Sequence, residues 1–223
     1  MPVKSVVTVL KNNLGFLFAM LLMFSVRSSL ADWYHIPSGS MLPTVEIGDR
    51  VLVDKTAYRL EAPFTNTLLM QTGLPDRGDI VVFESAAAGE RLIKRVIGLP
   101  GDTVAMHQHR LTVNGEPFTY MQQHSQLLET NLQGNTYTIA ISTTHDRLAD
   151  FSPVTIPDGY VLVLGDNRSH SADSRVHGFI PVTEIKGKAV RVVVSLDKHH
   201  HYLPRSQRFW LPLVQAKQQD EKI

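Results

Sequence analysis

Short runs of β-branched and aliphatic residues, each bounded by a glycine–aspartate or proline–glycine turn, recur along most of this chain and restrict it to a fold built from strands. Gly48-Asp49 leads into residues 50–54, and Asp76-Arg77-Gly78-Asp79 leads into Ile80-Val81-Val82-Phe83. A turn over residues 98–102 closes the run from Arg91 to Ile97, and Ile156-Pro157-Asp158-Gly159 opens Tyr160-Val161-Leu162-Val163-Leu164. The runs 80–83 and 160–164 are apolar without alternation, which predicts strands buried on both faces. Residues 185–194 supply one more strand. Residues 103–153 are more polar, with candidate strands at 103–106, 110–113 and 136–141 and an Asn114-Gly115 hairpin turn. They read as a small inserted β lobe, because the strong apolar strands resume after them. Residues 56–75 show no sustained period and read as a loop with one helical turn. The expected architecture is mostly β: an antiparallel core from residues 32–102 and 154–197, the inserted lobe at 103–153, and a tail at 198–223.

The N-terminus has a different character. Residues 14–26 (LGFLFAMLLMFSV) are apolar or small, with Lys4 and Lys11 before them and Arg27 after. As a helix this run spans ~20 Å, short of a ~30 Å hydrocarbon core, so a spanning helix has two ways to lengthen, back toward Ser5 with Lys11 snorkelling or on to Ala31 with Arg27 snorkelling, and some of both is expected. A cleavable leader is the rival reading, since the start is basic and Ser29-Leu30-Ala31 is a small-x-small site. Both readings send residue 32 onward across a membrane. Arg27 and Ser28, just before that site, favour a retained anchor: residues 1–31 as a cytoplasmic stub and transmembrane helix. Formal net charge is +1, which offers no electrostatic basis for binding nucleic acid. The chain has no cysteine, so thiolate catalysis, disulfides and cysteine metal sites are excluded. The histidines lack metal-ligand spacing; no metal or cofactor is expected.

Ile36-Pro37-Ser38-Gly39-Ser40-Met41-Leu42-Pro43-Thr44 follows the membrane segment closely. The prolines restrict the backbone around a Ser-Gly-Ser centre, giving a stiff bend that presents a hydroxyl. Alone, it reads as an ordinary turn. A serine hydroxyl needs a positioned base to become a nucleophile. Lys94 lies on a strand face with Leu92 and Val96, an unusual setting for lysine. Burial there disfavours the ammonium and lowers its pKa toward the range of a general base. Alone, Lys94 also reads as a strand lysine that snorkels or pairs with a carboxylate. The polar loop 165–175 (GDNRSHSADSR) directly follows a core strand, where sites are often built.

Together these segments resemble the bacterial type I signal peptidases (leader peptidases, Ser/Lys dyad serine proteases of family S26). The resemblance rests on residues 36–44, Gly48-Asp49, residues 77–83 (RGDIVVF), 93–102 (IKRVIGLPGD) and 165–175, in that order and spacing. It implies a membrane-bound endopeptidase that cleaves signal peptides of exported preproteins after small-x-small sites. Ser40 would be the nucleophile and Lys94 the general base, with the Ser38 hydroxyl and Ser40 N–H as oxyanion hole. Ser171 would hydrogen-bond and orient Lys94, Asp166 would pair with Arg95, and Asp173 and Arg175 would hold the loop. Ile36, Pro37, Met41, Val45 and Leu92 would line the first substrate pocket, and Tyr34, Val82 and Ile93 the second. The implied setting is a bacterial inner membrane, with a cytoplasmic N-terminus and an extracytoplasmic catalytic domain. The partners implied are signal peptides and the lipid bilayer.

A processing peptidase dedicated to a pilin, conjugation or secretion system would carry the same residues. A Ser/Lys autoprotease regulator would need a DNA-binding domain, and no basic helix-turn-helix pattern is present. A non-catalytic anchored β module would have no need of Lys94.

Overall fold

The computed structural model describes residues 8, 11–65, 67–142, 146–198 and 200–213. After helix α1 (Leu14–Ser29) come strands β1 (Ala31–His35) and β2 (Asp49–Asp54), then a short pair, β3 (Arg59–Glu61) and β4 (Leu68–Gln71). The hairpin β5 (Ile80–Ser85) and β6 (Glu90–Gly98) follows. Next are β7 (Thr103–His107), β8 (Arg110–Val113), β9 (Glu116–Pro117), β10 (Thr119–Gln123), β11 (Gln126–Thr130), β12 (Thr136–Ile139) and β13 (Phe151–Thr155). The chain then returns through β14 (Tyr160–Leu164), helix α2 (Ser174–His177), β15 (Ile180–Pro181) and the long β16 (Ile185–Asp197). It ends with β17 (Leu203–Pro204) and β18 (Leu211–Pro212).

The main antiparallel sheet runs β1-β2-β16-β5-β6-β14-β15, with β17 and β18 also pairing to β16. The segment from β7 to β13 forms two smaller sheets, β13-β7-β8-β9 and β10-β11-β12. The unbroken apolar run of β5 has a direct cause. Ile80 and Val82 enter one core cluster with Ile36, Met41 and Val45, while Val81 and Phe83 enter another with Val96, Val161 and Val163. A strand covered on both faces has no polar alternation. β14 is likewise shared: Leu162 and Leu164 join Ile97, Val104, Leu111 and Ile156 in a third cluster, so these polar-looking segments pack on the ends of β6 and β14. In the β8–β9 turn, Asn114 and Gly115 both adopt positive φ (54° and 85°), as a two-residue type I′ hairpin requires.

Three expectations need correction. Residues 56–75 hold the β3–β4 pair rather than a loop with one helical turn. Its anchors are polar, an Arg59–Glu61 ion pair of 2.9 Å and Arg59 Nη1 donating to the Thr183 carbonyl at 2.7 Å, so no hydrophobic period marks it. Strand β12 stops at Ile139 instead of residue 141, because the Ala140 backbone is bonded to the loop after β14: its N–H donates to Asp166 O and its carbonyl accepts from Arg168 N. Among the described residues no helix is long and apolar enough to cross a membrane; α1 has 16 residues and ends at Ser29, where β1 takes over. Residues 1–7, 9 and 10 of the expected stub, residues 214–223 of the tail, and His145 and His199 lie outside the described residues.

Candidate active site

Two loops and one strand converge on Ser40. The first loop carries residues 36–48 between β1 and β2. Ile36 N–H donates to Asp49 O, and Gly48 N–H donates to Ile36 O, so the loop is closed at its base. Leu42 N–H to Gly39 O and Val45 N–H to Met41 O form the tight bend that turns the Ser40 side chain away from the apolar side. The second loop, 165–173, is fastened to it directly. Asn167 N–H donates to the Ser40 carbonyl at 3.1 Å, and Asn167 Nδ2 donates to the Gly39 carbonyl at 3.0 Å. Gly165 is required by this approach, since a Cβ there would overlap the Ser40 carbonyl and the Ser171 hydroxyl.

Strand β6 supplies Lys94, which is 1% exposed. Its Nζ lies 2.9 Å from Ser40 Oγ and donates to the Ile93 carbonyl at 3.0 Å. Burial lowers the amine to about 8, against the opposing pull of the Asp173, Glu90 and Asp166 carboxylates. At neutral pH a fraction of the molecules therefore holds a neutral amine in hydrogen-bond reach of a serine hydroxyl. Ser38 Oγ sits 3.5 Å from Ser40 Oγ.

Behind these groups lies a buried polar frame. Arg95, next to Lys94, donates to both oxygens of Asp166 at 2.8 and 2.6 Å, and Asp166 also accepts from Thr44 Oγ1 at 2.5 Å. Arg95 stacks on Tyr137, 3.8 Å from the ring centre, and Tyr137 donates to Glu129. Glu129 in turn takes a two-bond contact from Arg168, and neither side chain of this last pair is exposed at all. Asp173 accepts from Gly165 N–H at 2.9 Å and from Arg175 Nε at 2.8 Å, while Arg175 Nη2 also donates to the Arg168 carbonyl at 2.7 Å.

Two cavities meet at Lys94. One, of about 300 Å³, is lined by Tyr34, Ile36, Pro37, Val82, Leu92 and Ile93 among others. The second, about 290 Å³, is lined by Gly39, Ser40, Asn167, His170 and Ala172. Ser38, Glu90, Leu92 and Lys94 border both. Six of the eight expected pocket residues thus line the first cavity. Met41 and Val45 do not: both are fully buried in the core cluster, because the bend that turns Ser40 toward the second cavity directs these neighbours inward. The expected hydrogen bond from Ser171 to Lys94 is also not made. Among the described residues the buried Ser171 hydroxyl has no hydrogen-bond partner; it packs against Gly165, and the Lys94 amine is directed to Ser40 and Ile93 instead.

Asn167, Glu129, Arg168 and Glu90 were not singled out by the sequence. Asn167 lies inside the polar loop 165–175, and Glu90 is four residues before Lys94, so each has a signal nearby in the sequence. The Glu129–Arg168 pair carries no local signal.

Residues 10–194 match the family described as "Signal peptidase, peptidase S26". The signal peptidase I of Pseudomonas aeruginosa is 35% identical over 201 residues, covering 81% of this chain and 71% of its own length. That of Buchnera aphidicola subsp. Acyrthosiphon pisum is 28% identical over 249 residues, covering 89% and 79%. A solved signal peptidase I from Enterococcus faecalis V583 is 30% identical and covers 51% of this chain and 95% of its own, at a TM-score of 0.38 that carries no argument about the fold.

Proposed function

The chain belongs to the signal peptidase family, peptidase S26, and from that premise we propose that it removes signal peptides from exported preproteins, with Ser40 as nucleophile and Lys94 as base. The observation that carries this reading is the buried Lys94 amine, 2.9 Å from Ser40 Oγ where two cavities meet.

The neutral amine accepts the Ser40 proton as Oγ bonds to the scissile carbonyl carbon. The carbonyl oxygen becomes an oxyanion that takes hydrogen bonds from the Ser40 N–H and the Ser38 hydroxyl. The new ammonium then gives its proton to the leaving amine, the C–N bond breaks, and an acyl-serine remains. A water, deprotonated by the same amine, hydrolyses the ester and restores Ser40. Removing one oxyanion donor typically costs ~10²–10³ in rate. The apolar walls at Ile36, Val82, Leu92 and Ile93 suit small uncharged side chains, since a polar one would lose hydration without gaining a partner. Asp166, Arg95, Asp173 and Arg175 hold the loops in register, and Ser171 serves as packing beside Gly165.

We also read α1 as part of a membrane anchor. Its Leu14, Phe16, Phe18, Leu21, Leu22, Met23 and Phe24 side chains are all exposed. At ~1.5 Å per residue it falls short of the bilayer core, so the anchor in this reading includes residues before Leu14. The domain division at residues 31, 102, 153 and 197 is part of the same proposal, as are the inner-membrane location and the extracytoplasmic catalytic domain. Ser28, in the last turn of α1, accepts from Lys55 through its carbonyl and from Phe64 N–H through its hydroxyl, which ties the helix end to the β domain. Such a tether would hold Ser40 near the bilayer surface.

The test is cleavage of a preprotein carrying an Ala-x-Ala site by the purified full-length chain in detergent. Ser40→Ala and Lys94→Ala should each abolish it with the fold preserved. Activity retained in Lys94→Ala would remove lysine as the base, and loss in His170→Ala alone would transfer the role to histidine.

A further inference from the structure

We propose that the C-terminal tail is a clamp on the nucleophile loop, with Arg208 as the positioning residue; this rests on the peptidase reading above. The tail turns back from the end of β16 and crosses under the loop that carries Ser40. Arg208 Nε and Nη2 donate to the two oxygens of Asp49 at 3.1 and 2.6 Å. Its Nη1 donates to Glu46 at 3.0 Å, and Nη2 also reaches the Thr44 carbonyl at 3.1 Å. Asp49 is wholly buried and Arg208 is 9% exposed, so the bonds between them are desolvated and charge-assisted, while Glu46, its side chain 37% exposed, is held at the rim. Arg205 adds a second hold, donating to Glu46, the Ile47 carbonyl and Ser195 Oγ. Leu213 completes the grip: it is buried in the same cluster as Met41 and Val45, the residues immediately inside the catalytic bend.

Thr44 shows what the clamp does. Its carbonyl is held by Arg208 from the tail, and its hydroxyl is held by Asp166 from the second loop. Asp166 is the partner of Arg95, the neighbour of Lys94. Four residues from the nucleophile, the backbone is thus pinned from two directions, one of which leads to the strand of the base. None of the tail's described residues, 198 and 200–213, borders either cavity beside Ser40, so in this proposal the tail acts on the reaction through the position of Ser40. A displacement of about 1 Å at a reacting group can cost 10²-fold in rate.

The experiment compares full-length Arg208→Ala, Arg208→Lys and Arg205→Ala with the unaltered chain. It reads preprotein cleavage (kcat and KM separately), its pH profile, thermal unfolding, and hydrogen exchange of amides 40–45 and of β6. Arg208→Ala should lower kcat by about 10–100-fold, leave KM within twofold, and leave the pH midpoint in place, because Lys94 is not moved. Exchange at amides 40–45 should speed up while β6 is unchanged. Arg208→Lys should recover part of the rate, and Arg205→Ala should lose less than either. A folded Arg208→Ala with unaltered kcat and exchange overturns the clamp, and so does a raised KM with unchanged kcat. If Arg208→Ala does not fold, Arg208→Lys decides: full kcat and unaltered exchange in that variant overturn the proposal. Failure of the unaltered chain to cleave any preprotein would count against the peptidase reading alone, since the exchange of amides 40–45 still tests the clamp.

Discussion

Lys94 and Arg95 are adjacent on β6, are 1% and 4% exposed, and extend toward different parts of the molecule. Arg95 is met by a carboxylate from the second loop, by the Gly78 carbonyl and by the face of Tyr137. Burial alone would lower its pKa, but Asp166 outweighs this and raises it. Lys94 is met by a hydroxyl and a carbonyl, and burial brings it down to about 8. The two sites show how one strand can hold a permanent cation and a titrating amine side by side. The carboxylates near Lys94 stay beyond contact and offset only part of its desolvation. The proposed roles follow this difference: Arg95 as a structural support because its charge is matched, Lys94 as the base because its charge is not.

Exchange of the roles gives the largest effects. Lys94→Ala should reduce cleavage by at least ~10³-fold, the upper part of the range for a general base, and keep a cooperative thermal transition. Arg95→Ala should act through stability: it leaves Asp166 buried without its partner, at a cost of about 3–5 kcal/mol measured by denaturant unfolding. A Lys94→Ala chain that unfolds while Arg95→Ala remains stable and inactive would reverse the assignment.

Lys94→Met sharpens the contrast in the opposite direction. A charge held at a pKa of about 8 instead of 10.5 costs about 3 kcal/mol of stability at pH 7. Between pH 8 and 10.5 the unfolded chain binds more protons at this group than the folded one, so the Lys94 contribution to stability improves with rising pH across that window. Lys94→Met should therefore be more stable than the natural chain by about 3 kcal/mol at pH 7, with the gap closing toward pH 10.5, while losing activity. The pH–rate profile of the natural chain should rise with a midpoint of about 8 and fall about tenfold per unit well below it. A flat profile from pH 6 to 9 would rule out the amine as the titrating base.

What was legible in the sequence divides along similar lines. The strands of the main sheet could be read because their apolar runs record burial on both faces. The β3–β4 pair could not, since polar anchors at Arg59 hold it. Ser40 and Lys94 each looked ordinary alone and gained meaning from the order of the surrounding segments. Charges were visible, but their partners were not: Arg168 meets Glu129 across 39 residues, and Arg208 meets Asp49 across 159. Met41 and Val45 lie in the core rather than in the expected pocket because the direction of a side chain in a bend depends on backbone geometry, here the Val45–Met41 turn. Ser171 was placed beside Lys94 by resemblance, while the amine's actual orientation follows from which acceptors lie nearest.

Glu90 provides the smallest and most selective test of the comparison. It borders both cavities, and its carboxylate is among the groups that raise the Lys94 pKa against the effect of burial. The other two contributors, Asp173 and Asp166, are committed to Arg175 and Arg95, so removing either disturbs the loop as well as the field. Glu90 is exposed on the rim of the cleft, and its replacement should leave the frame intact. Glu90→Gln should move the midpoint of the pH–rate profile downward, because a lost anion makes the ammonium easier to deprotonate. The rate below the midpoint should rise by about twofold, in keeping with the modest worth of a solvent-screened charge, and added salt should shrink the difference between the two chains. An upward movement would mean that Glu90 acts on bound substrate rather than on the amine.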